Sequence, residues 1–474
     1  MDEHKKEYIM ITYLSTLPYN KDPEKDKITY NINNTDTVST AYTNEAGIMY
    51  LSKIGKVPSY IIAMTSDSAE HKEYPTFFNK TSLSYFTDCV DKHFHGACSV
   101  RNVRAVLGTN NDSSTNLKRL FEKLNEIVAE AKLNSPKIIR DITGGLRDAV
   151  FTLTLASRFL EFKGYEVELV FYSFLDASRQ LSPKIVPYTN EYRLFDLING
   201  VSEFVNFGRS DTLAACFSSK DETTKQLIRA MNNISDAISL GKTASLLDLL
   251  STLNSAIDKF QNEDYDDAAL NILKDLLDII RSKMFLKEGR EPDTLSVIHW
   301  CLENKFLQQA ITIYNEHLPK YLFEHKIIEC KNPIDLENAR NNAFHTDAYA
   351  YLFYGEFMSC RNNSARIKDK IDFIKFTKRR LNERSYKFKV APEAQDCIGR
   401  ICASYTFFKE VRNSINHAGG RGSDKTILKN FLEKEYNPGF SYEISTANLT
   451  RILNRELKVF DKLMKKMKNK QAKK

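Results

Sequence analysis

A chain of 474 residues, 42% hydrophobic with only 17 Gly and 12 Pro, has the apolar content of a folded protein and more length than one ordinary domain needs. Its net charge of +7 invites a nucleic-acid reading, but the segment from Arg451 to Lys474 holds ten Lys/Arg against two acids, so the rest of the chain is close to neutral. These figures exclude a disordered or low-complexity chain, and no apolar run reaches the roughly 18–20 residues of a membrane-spanning helix. Asp2, Glu3, Lys5 and Lys6 stand directly before the first apolar run, which is no signal-peptide pattern, so a cytoplasmic protein is expected. Eight scattered cysteines form no C-x-x-C pair and no zinc spacing; reduced, mostly buried thiols and no metal are expected.

The first 200 or so residues alternate strand and helix signals. Tyr8–Ser15 is a short apolar run, Ala41–Lys53 is helical, Tyr60–Thr65 is apolar again, and Val100–Leu107 is a weaker strand. Asn116–Lys132 predicts an amphipathic helix, Lys137–Ile142 a strand, Leu146–Phe162 a helix and Glu166–Ser173 a strand. Strands alternating with helices predict βαβ crossovers, hence an α/β Rossmann-like domain with a mostly parallel sheet covered on both faces.

Past about Pro187 the strand signals stop. Thr224–Leu240, Ser245–Phe260, Asp267–Phe285, Asp293–His317, Pro333–Cys360, Lys368–Asn382 and Glu393–Ala418 all carry helical period, which predicts an all-α C-terminal region. Near the end, Leu453, Leu457, Phe460, Met464 and Met467 follow a 4,3,4,3 spacing, the pattern of a docked helix with a basic outer face. Such a face attracts RNA whether or not it is a dedicated clamp.

Two loops fall where parallel strands end. Asp141-Ile142-Thr143-Gly144-Gly145-Leu146-Arg147 turns a strand into a helix, and Leu14-Ser15-Thr16-Leu17-Pro18 follows the first strand. Ligands of open α/β sheets bind beyond such carboxyl ends, and a Gly pair lets backbone N–H groups approach an anion there. Thr143 adds a hydroxyl and Arg147 a phosphate-capable fork. The loop is neither a G-x-G-x-x-G turn nor a P-loop, and Thr as N-cap with Gly for a tight turn explains it equally well.

The stretch E-V-R-N-S-I-N-H-A-G-G at 410–420 closes a long apolar helix with Arg412, Asn413 and His417. Asn413 and His417 are i and i+4, and the following Gly pair puts His417 in the last turn, where the helix dipole favours imidazolium. Arg412 lies about 140° further round the helix, so two copies facing each other would close a site more naturally than one. A polar helix terminus remains the plain alternative.

R-N-S-I-N-H at Arg412–His417 matches the Arg-Asn-x3-His form of the R-x4-6-H motif of HEPN ribonucleases, and D-I-T-G-G-L-R-D at Asp141–Asp148 resembles the ligand loop of CARF domains. L-F-D-L-I-N-G after the last strand and C-L-E-N-K-F-L-Q-Q-A-I-T-I-Y-N-E-H-L-P at Cys301–Pro319 are similar to stretches of the type III CRISPR accessory ribonucleases that join CARF to HEPN. The resemblance spans nearly the whole chain. It implies a CARF domain over 1–204, a helical connecting domain over 205–330 and a HEPN domain over 331–474.

It also implies a homodimer that binds cyclic tetra- or hexa-adenylate across its two-fold axis, through Ser15, Thr16, Thr143, Gly144, Gly145 and Arg147. Binding would activate a composite HEPN site that cuts single-stranded RNA without a metal, with no other cofactor, by attack of the 2′-hydroxyl on the adjacent phosphorus. His417 would be the acid/base group, Arg412 would stabilise the charged phosphorane and Asn413 would support them. Slow self-limiting cleavage of the activator is a property of some relatives; Ser15, Thr16 and Thr143 would suit it, but they suit binding alone as well. Arg340–His345 is a second Arg-Asn-x3-His match, and the position of Arg412–His417 near the C-terminus favours the latter. Two other readings stay open: a non-catalytic CARF sensor that regulates a protein or DNA partner, and a stand-alone HEPN toxin.

Overall fold

The computed structural model describes residues 7–106, 112–144, 147–175, 181–217, 221–242, 245–342, 387–416 and 445–471. By packing, the chain divides into a unit over Met1–Phe195 and a unit over Asp196–Lys474. No helix among the described residues is long and apolar enough to cross a membrane.

The first unit is built on eight strands: β1 (Tyr8–Tyr13), β2 (Ile28–Asn31), β3 (Thr37–Thr40), β4 (Tyr60–Thr65), β5 (Ser99–Arg104), β6 (Lys137–Asp141), β7 (Val167–Phe174) and β8 (Lys184–Pro187). They lie in the order β3-β2-β8-β7-β6-β1-β4-β5. The five from β7 to β5 are parallel. All six residues of β1 are buried, as a central strand covered on both faces requires.

Alternation along the strands feeds two cores. Tyr8 and Met10 of β1 with Ile139 of β6 face Ala46, Leu51 and Phe86, which come from α1 (Thr43–Lys53) and α3 (Ser82–Phe94). Ile9 and Ile11 with Ile138 face Leu120, Leu124, Leu153 and Leu160, which come from α4 (Asp112–Ala131) and α5 (Arg147–Phe162). A short α2 (Asp67–His71) follows β4. The α/β architecture expected from the sequence is therefore present. The short strands β2, β3 and β8 on one side of the sheet carry no usable period: each has four residues and buries only one or two.

The helix α6 (Thr189–Phe207) contains the division between the units. The second unit continues with α7 (Asp211–Cys216), α8 (Glu222–Ser239), α9 (Leu246–Gln261), α10 (Ala268–Lys283), α11 (Thr294–Glu303), α12 (Leu307–Glu324), α13 (Pro333–Asn342), α14 (Ile398–Asn416) and α15 (Thr446–Gln471). Asp221, Asp267 and Asp293 cap α8, α10 and α11 with side-chain acceptors, each contributing about 1 kcal/mol.

The helical reading of this half holds, with one addition and two local corrections. The addition is a two-stranded antiparallel ribbon of β9 (Ile328–Cys330) and β10 (Phe388–Val390), too short to leave a sequence signal. The segment Asp293–His317 is two helices, α11 and α12. Lys305 takes a left-handed φ of 63°, and Phe306 N–H returns to Cys301 O at 2.7 Å. The helical period survives that break because Leu302 and Phe306 stand four apart, and Phe306 packs edge-on against Trp300, with ring centroids 5.6 Å apart. The helix expected from Glu393 begins at Ile398, after a 3-10 turn over Pro392–Ala394. Lys368–Asn382, most of Pro333–Cys360 and the end of Glu393–Ala418 lie outside the described residues.

Candidate ligand and catalytic sites

The parallel strands place a switch point between β1 and β6. From β1 the chain crosses to β4 and β5 on one side, then returns to β6 and β7 on the other. Crossovers on opposite faces leave a crevice beyond the carboxyl ends of these two strands, where open α/β sheets take their ligands. The loops after β1 and β6 both open on it, so Ser15 and Thr16 share an edge with Thr143 and Gly144. Ser15 is half-buried, Thr16 exposed, Thr143 half-buried and Gly144 buried. Arg147 is the first residue of α5, and Gly145 lies outside the described residues.

A buried polar network stitches the two loops together. Asn44 of α1 donates to Tyr13 O at 3.1 Å and to Thr12 Oγ1 at 3.3 Å, while its Oδ1 accepts from Ser15 N–H at 3.1 Å. Tyr42 OH donates to Ser15 O at 2.8 Å. On the other strand, Asp141 accepts from Thr12 Oγ1 at 3.0 Å, from Thr143 N–H at 2.9 Å and from the Thr143 hydroxyl. Ser173 N–H of β7 in turn donates to Thr143 Oγ1 at 2.9 Å. The Thr143 hydroxyl is thus engaged in holding its own loop, and the β6–α5 turn is presented on a fixed frame.

Gly144 belongs to that frame by close approach. A Cβ there would stand 1.8 Å from Tyr13 O, a backbone atom that cannot yield without parting β1 from β6. Asp141 is fully buried, and desolvation raises its carboxyl to about 6 despite the hydroxyl, amide and Asn44 donors around it. Arg140 points to the opposite face, 2% exposed, with Nη2 donating to Val150 O at 3.1 Å and Thr154 Oγ1 at 2.7 Å. Burial lowers its guanidinium to about 10. It pins α5 to the strand that carries the loop.

From this edge α5 runs outward with an exposed apolar stripe. Phe151, Leu155, Phe159 and Phe162 are 63%, 41%, 46% and 88% exposed, and their 4,4,3 spacing keeps them on one side.

The second candidate site lies in the helical unit. Arg412 and Asn413 occupy the last turns of α14, the first half-buried and the second exposed. His417 lies just past them, outside the described residues. Arg412 Nη2 stands 3.3 Å from Glu316 Oε1 of α12. Below this level, α12 packs between α14 and α15: Tyr314 meets the Phe408 ring at 5.2 Å and the Phe460 ring at 6.3 Å. Arg400 of α14 makes a two-pronged pair with Glu456 of α15, whose side chain is 1% exposed. The competing motif begins at the end of α13, where Arg340 and Asn341 are exposed, and its His345 lies outside the described residues.

Sequence reasoning missed Asn44, Tyr42, Thr12 and Glu316, and quoted Asp141 without giving it a role. Asn44 reads as an ordinary polar residue at a helix start; only the β1–α1 crossover brings it under the loop. Glu316 reads as a helix-surface acid, and its partner comes from a helix far along the chain.

An open, mostly parallel α/β sheet followed by a helical region defines the class by its fold. Residues 193–285, which cover most of α6 and all of α7 to α10, match the family model for CRISPR-associated protein MJ1674, second domain. The match lies almost wholly within the helical unit and covers about a fifth of the chain, which is similar there to that CRISPR-associated domain. Among solved structures, "Enterococcus italicus Csm6 bound to cyclic hexa-2'-fluoro-hexa-dAMP" matches over 94% of this chain and 100% of that one, at 10% identity and a TM-score of 0.34. No curated protein matches the chain.

Proposed function

We propose that the chain is a cyclic oligoadenylate-activated, metal-independent endoribonuclease of type III CRISPR defence. In this reading a CARF domain over 1–204 senses the activator, residues 205–330 connect, and a HEPN domain over 331–474 cuts single-stranded RNA. The observation that supports it is the joining, in one chain, of a helical segment similar to a CRISPR-associated domain to a hydroxyl- and Gly-lined sheet edge at a switch point.

The activator would lie along the carboxyl ends of β1 and β6. Its phosphates would meet the backbone at Thr143, Gly144 and Gly145 and the N-terminus of α5, where Arg147 adds a charge-assisted fork. Ser15 and Thr16 would contact the ring from the opposite loop. Because Thr143 Oγ1 is held by Asp141 and Ser173, its hydroxyl serves the loop before it serves the ligand. A second copy would complete the ring site, and the apolar stripe of α5 supports its docking there: it is continuous with the ligand edge and too apolar to be left in water.

In the helical unit, His417 would take the proton from a 2′-hydroxyl or return one to the leaving 5′-oxygen. The 2′-oxygen bonds to phosphorus as the P–O5′ bond breaks, leaving a 2′,3′-cyclic phosphate and a 5′-hydroxyl. Arg412 would meet the charge that grows on the phosphorane oxygens, with Asn413 beside it. The exposed face of α15, with Arg451, Arg455, Lys458, Lys462, Lys465 and Lys468, would draw in RNA. The test is His417→Ala: ring-stimulated RNA cutting should fall by about 10²–10⁴-fold while ring binding, measured by calorimetry, stays as in the parent. Retained cutting would remove His417 from the chemistry.

A further inference from the structure

Arg412 and Glu316 reach each other from different helices. Arg412 Nη2 and Glu316 Oε1 are 3.3 Å apart, and the two side chains are 29% and 30% exposed. An ion pair that open to water contributes little to stability. Its placement is the informative feature. Arg412 Nε is buried and makes no hydrogen bond among the described residues, so the stem of the guanidinium is enclosed while one prong of the fork meets the carboxylate.

The carboxylate is held at a set height along α14. Two residues before it on α12, Tyr314 OH lies 2.6 Å from Ser404 Oγ of α14; because Ser404 donates onward to Ile401 O at 3.0 Å, the tyrosine is the donor in this pair. Ser404 is fully buried, and the Tyr314 ring is wedged between Phe408 and Phe460. α12 therefore cannot slide along α14 without breaking a buried hydrogen bond and the Tyr314–Phe408 ring contact.

We propose, within the ribonuclease reading, that Glu316 is a positioning residue for Arg412. By taking one Nη of the fork, the carboxylate fixes its plane and leaves the other Nη for the oxygen on which charge develops in the transition state. A guanidinium ordered in advance needs no reorganisation when that charge appears, whereas a free arginine samples many rotamers. Glu316 touches neither RNA nor activator in this role.

The test is a cycle of four full-length proteins: the parent, Glu316→Gln, Arg412→Ala and the double variant. Each is assayed for ring-activated RNA cutting and for thermal unfolding. Glu316→Gln keeps the shape but not the charge; kcat should fall about 10²-fold, with KM for RNA little changed. In the Arg412→Ala background the same change should cost nothing further, because the group it positions is gone. Glu316→Asp should recover part of kcat. Unaltered kcat in Glu316→Gln, losses that multiply in the double variant, or a kcat that falls in step with Tm would each overturn the proposal. A parent that cuts no RNA with either ring overturns the ribonuclease reading and this proposal together; a parent that cuts, with Glu316→Gln its equal, overturns the positioning role alone.

Discussion

Asp141 shows how a single residue sets the state of the sheet edge beyond β1 and β6. Burial lifts its carboxyl from 3.8 to about 6, so holding it ionised near neutrality costs roughly 3 kcal/mol at about 1.4 kcal/mol per pH unit. The sign follows directly. A folded pKa above the unfolded one adds stability that is complete below the unfolded value and is lost as pH rises through the folded value. Relative to Asp141→Asn, the parent should therefore lose stability between about pH 4 and pH 6–7 and run parallel to the variant above that range. Unfolding midpoints of the two proteins at pH 4.5 and 7.5 check this, and a constant difference would mean the carboxyl is not buried as described. Gly144→Ala is a sharper change: its Cβ meets Tyr13 O at 1.8 Å, and overpacking of this kind costs about 1–3 kcal/mol. It should lower Tm and weaken ring binding, with α14 and its Arg412 untouched. The glycine and hydroxyl types of this edge were legible in the sequence. The Asn44 and Asp141 contacts beneath them were not, because they depend on which strand lies beside which.

At the scale of single elements, α5 and α15 expose faces of opposite character. The α5 stripe of Phe151, Leu155, Phe159 and Phe162 predicts that Phe151→Glu with Phe162→Glu keeps a folded chain, since the two side chains are 63% and 88% exposed, but abolishes self-association in sedimentation and ring-activated cutting with it. A dimer that survives both charges would place the interface elsewhere. On α15, Ile452, Leu453, Leu457, Phe460 and Leu463 are buried, while the cationic residues at 451, 455, 458, 462, 465 and 468 lie outward. Replacing Lys458, Lys462 and Lys465 by Gln should raise KM for RNA and flatten its salt dependence by a slope of about 2, at about 0.7 per lost phosphate contact. An unchanged slope would make α15 a structural helix only. The 4,3,4,3 spacing made this helix readable from sequence, because one face is buried and the other is not. The break between α11 and α12 was unreadable, since Leu302 and Phe306 stand four apart, at helical spacing, across a left-handed Lys305.

At the scale of the whole chain, the order of strands and helices was sufficient to foresee an α/β unit followed by a helical one. The parallel strands announce themselves because both faces are covered, which makes β1 apolar at every position but Thr12. The antiparallel edge and the β9–β10 ribbon stayed hidden, being too short to carry a period. The candidate catalytic trio was legible only as a motif; the structure adds the Arg412–Glu316 pair, while His417 falls outside the described residues. The most direct measurement is cleavage of a fluorescent single-stranded RNA by the purified protein in EDTA, with cyclic tetra-adenylate and cyclic hexa-adenylate added separately. Cutting that depends on one of the rings and persists in the chelator is the expected result. Measurable ring binding with no cutting by either would contradict the ribonuclease reading and leave the chain a sensor whose helical half acts on a partner.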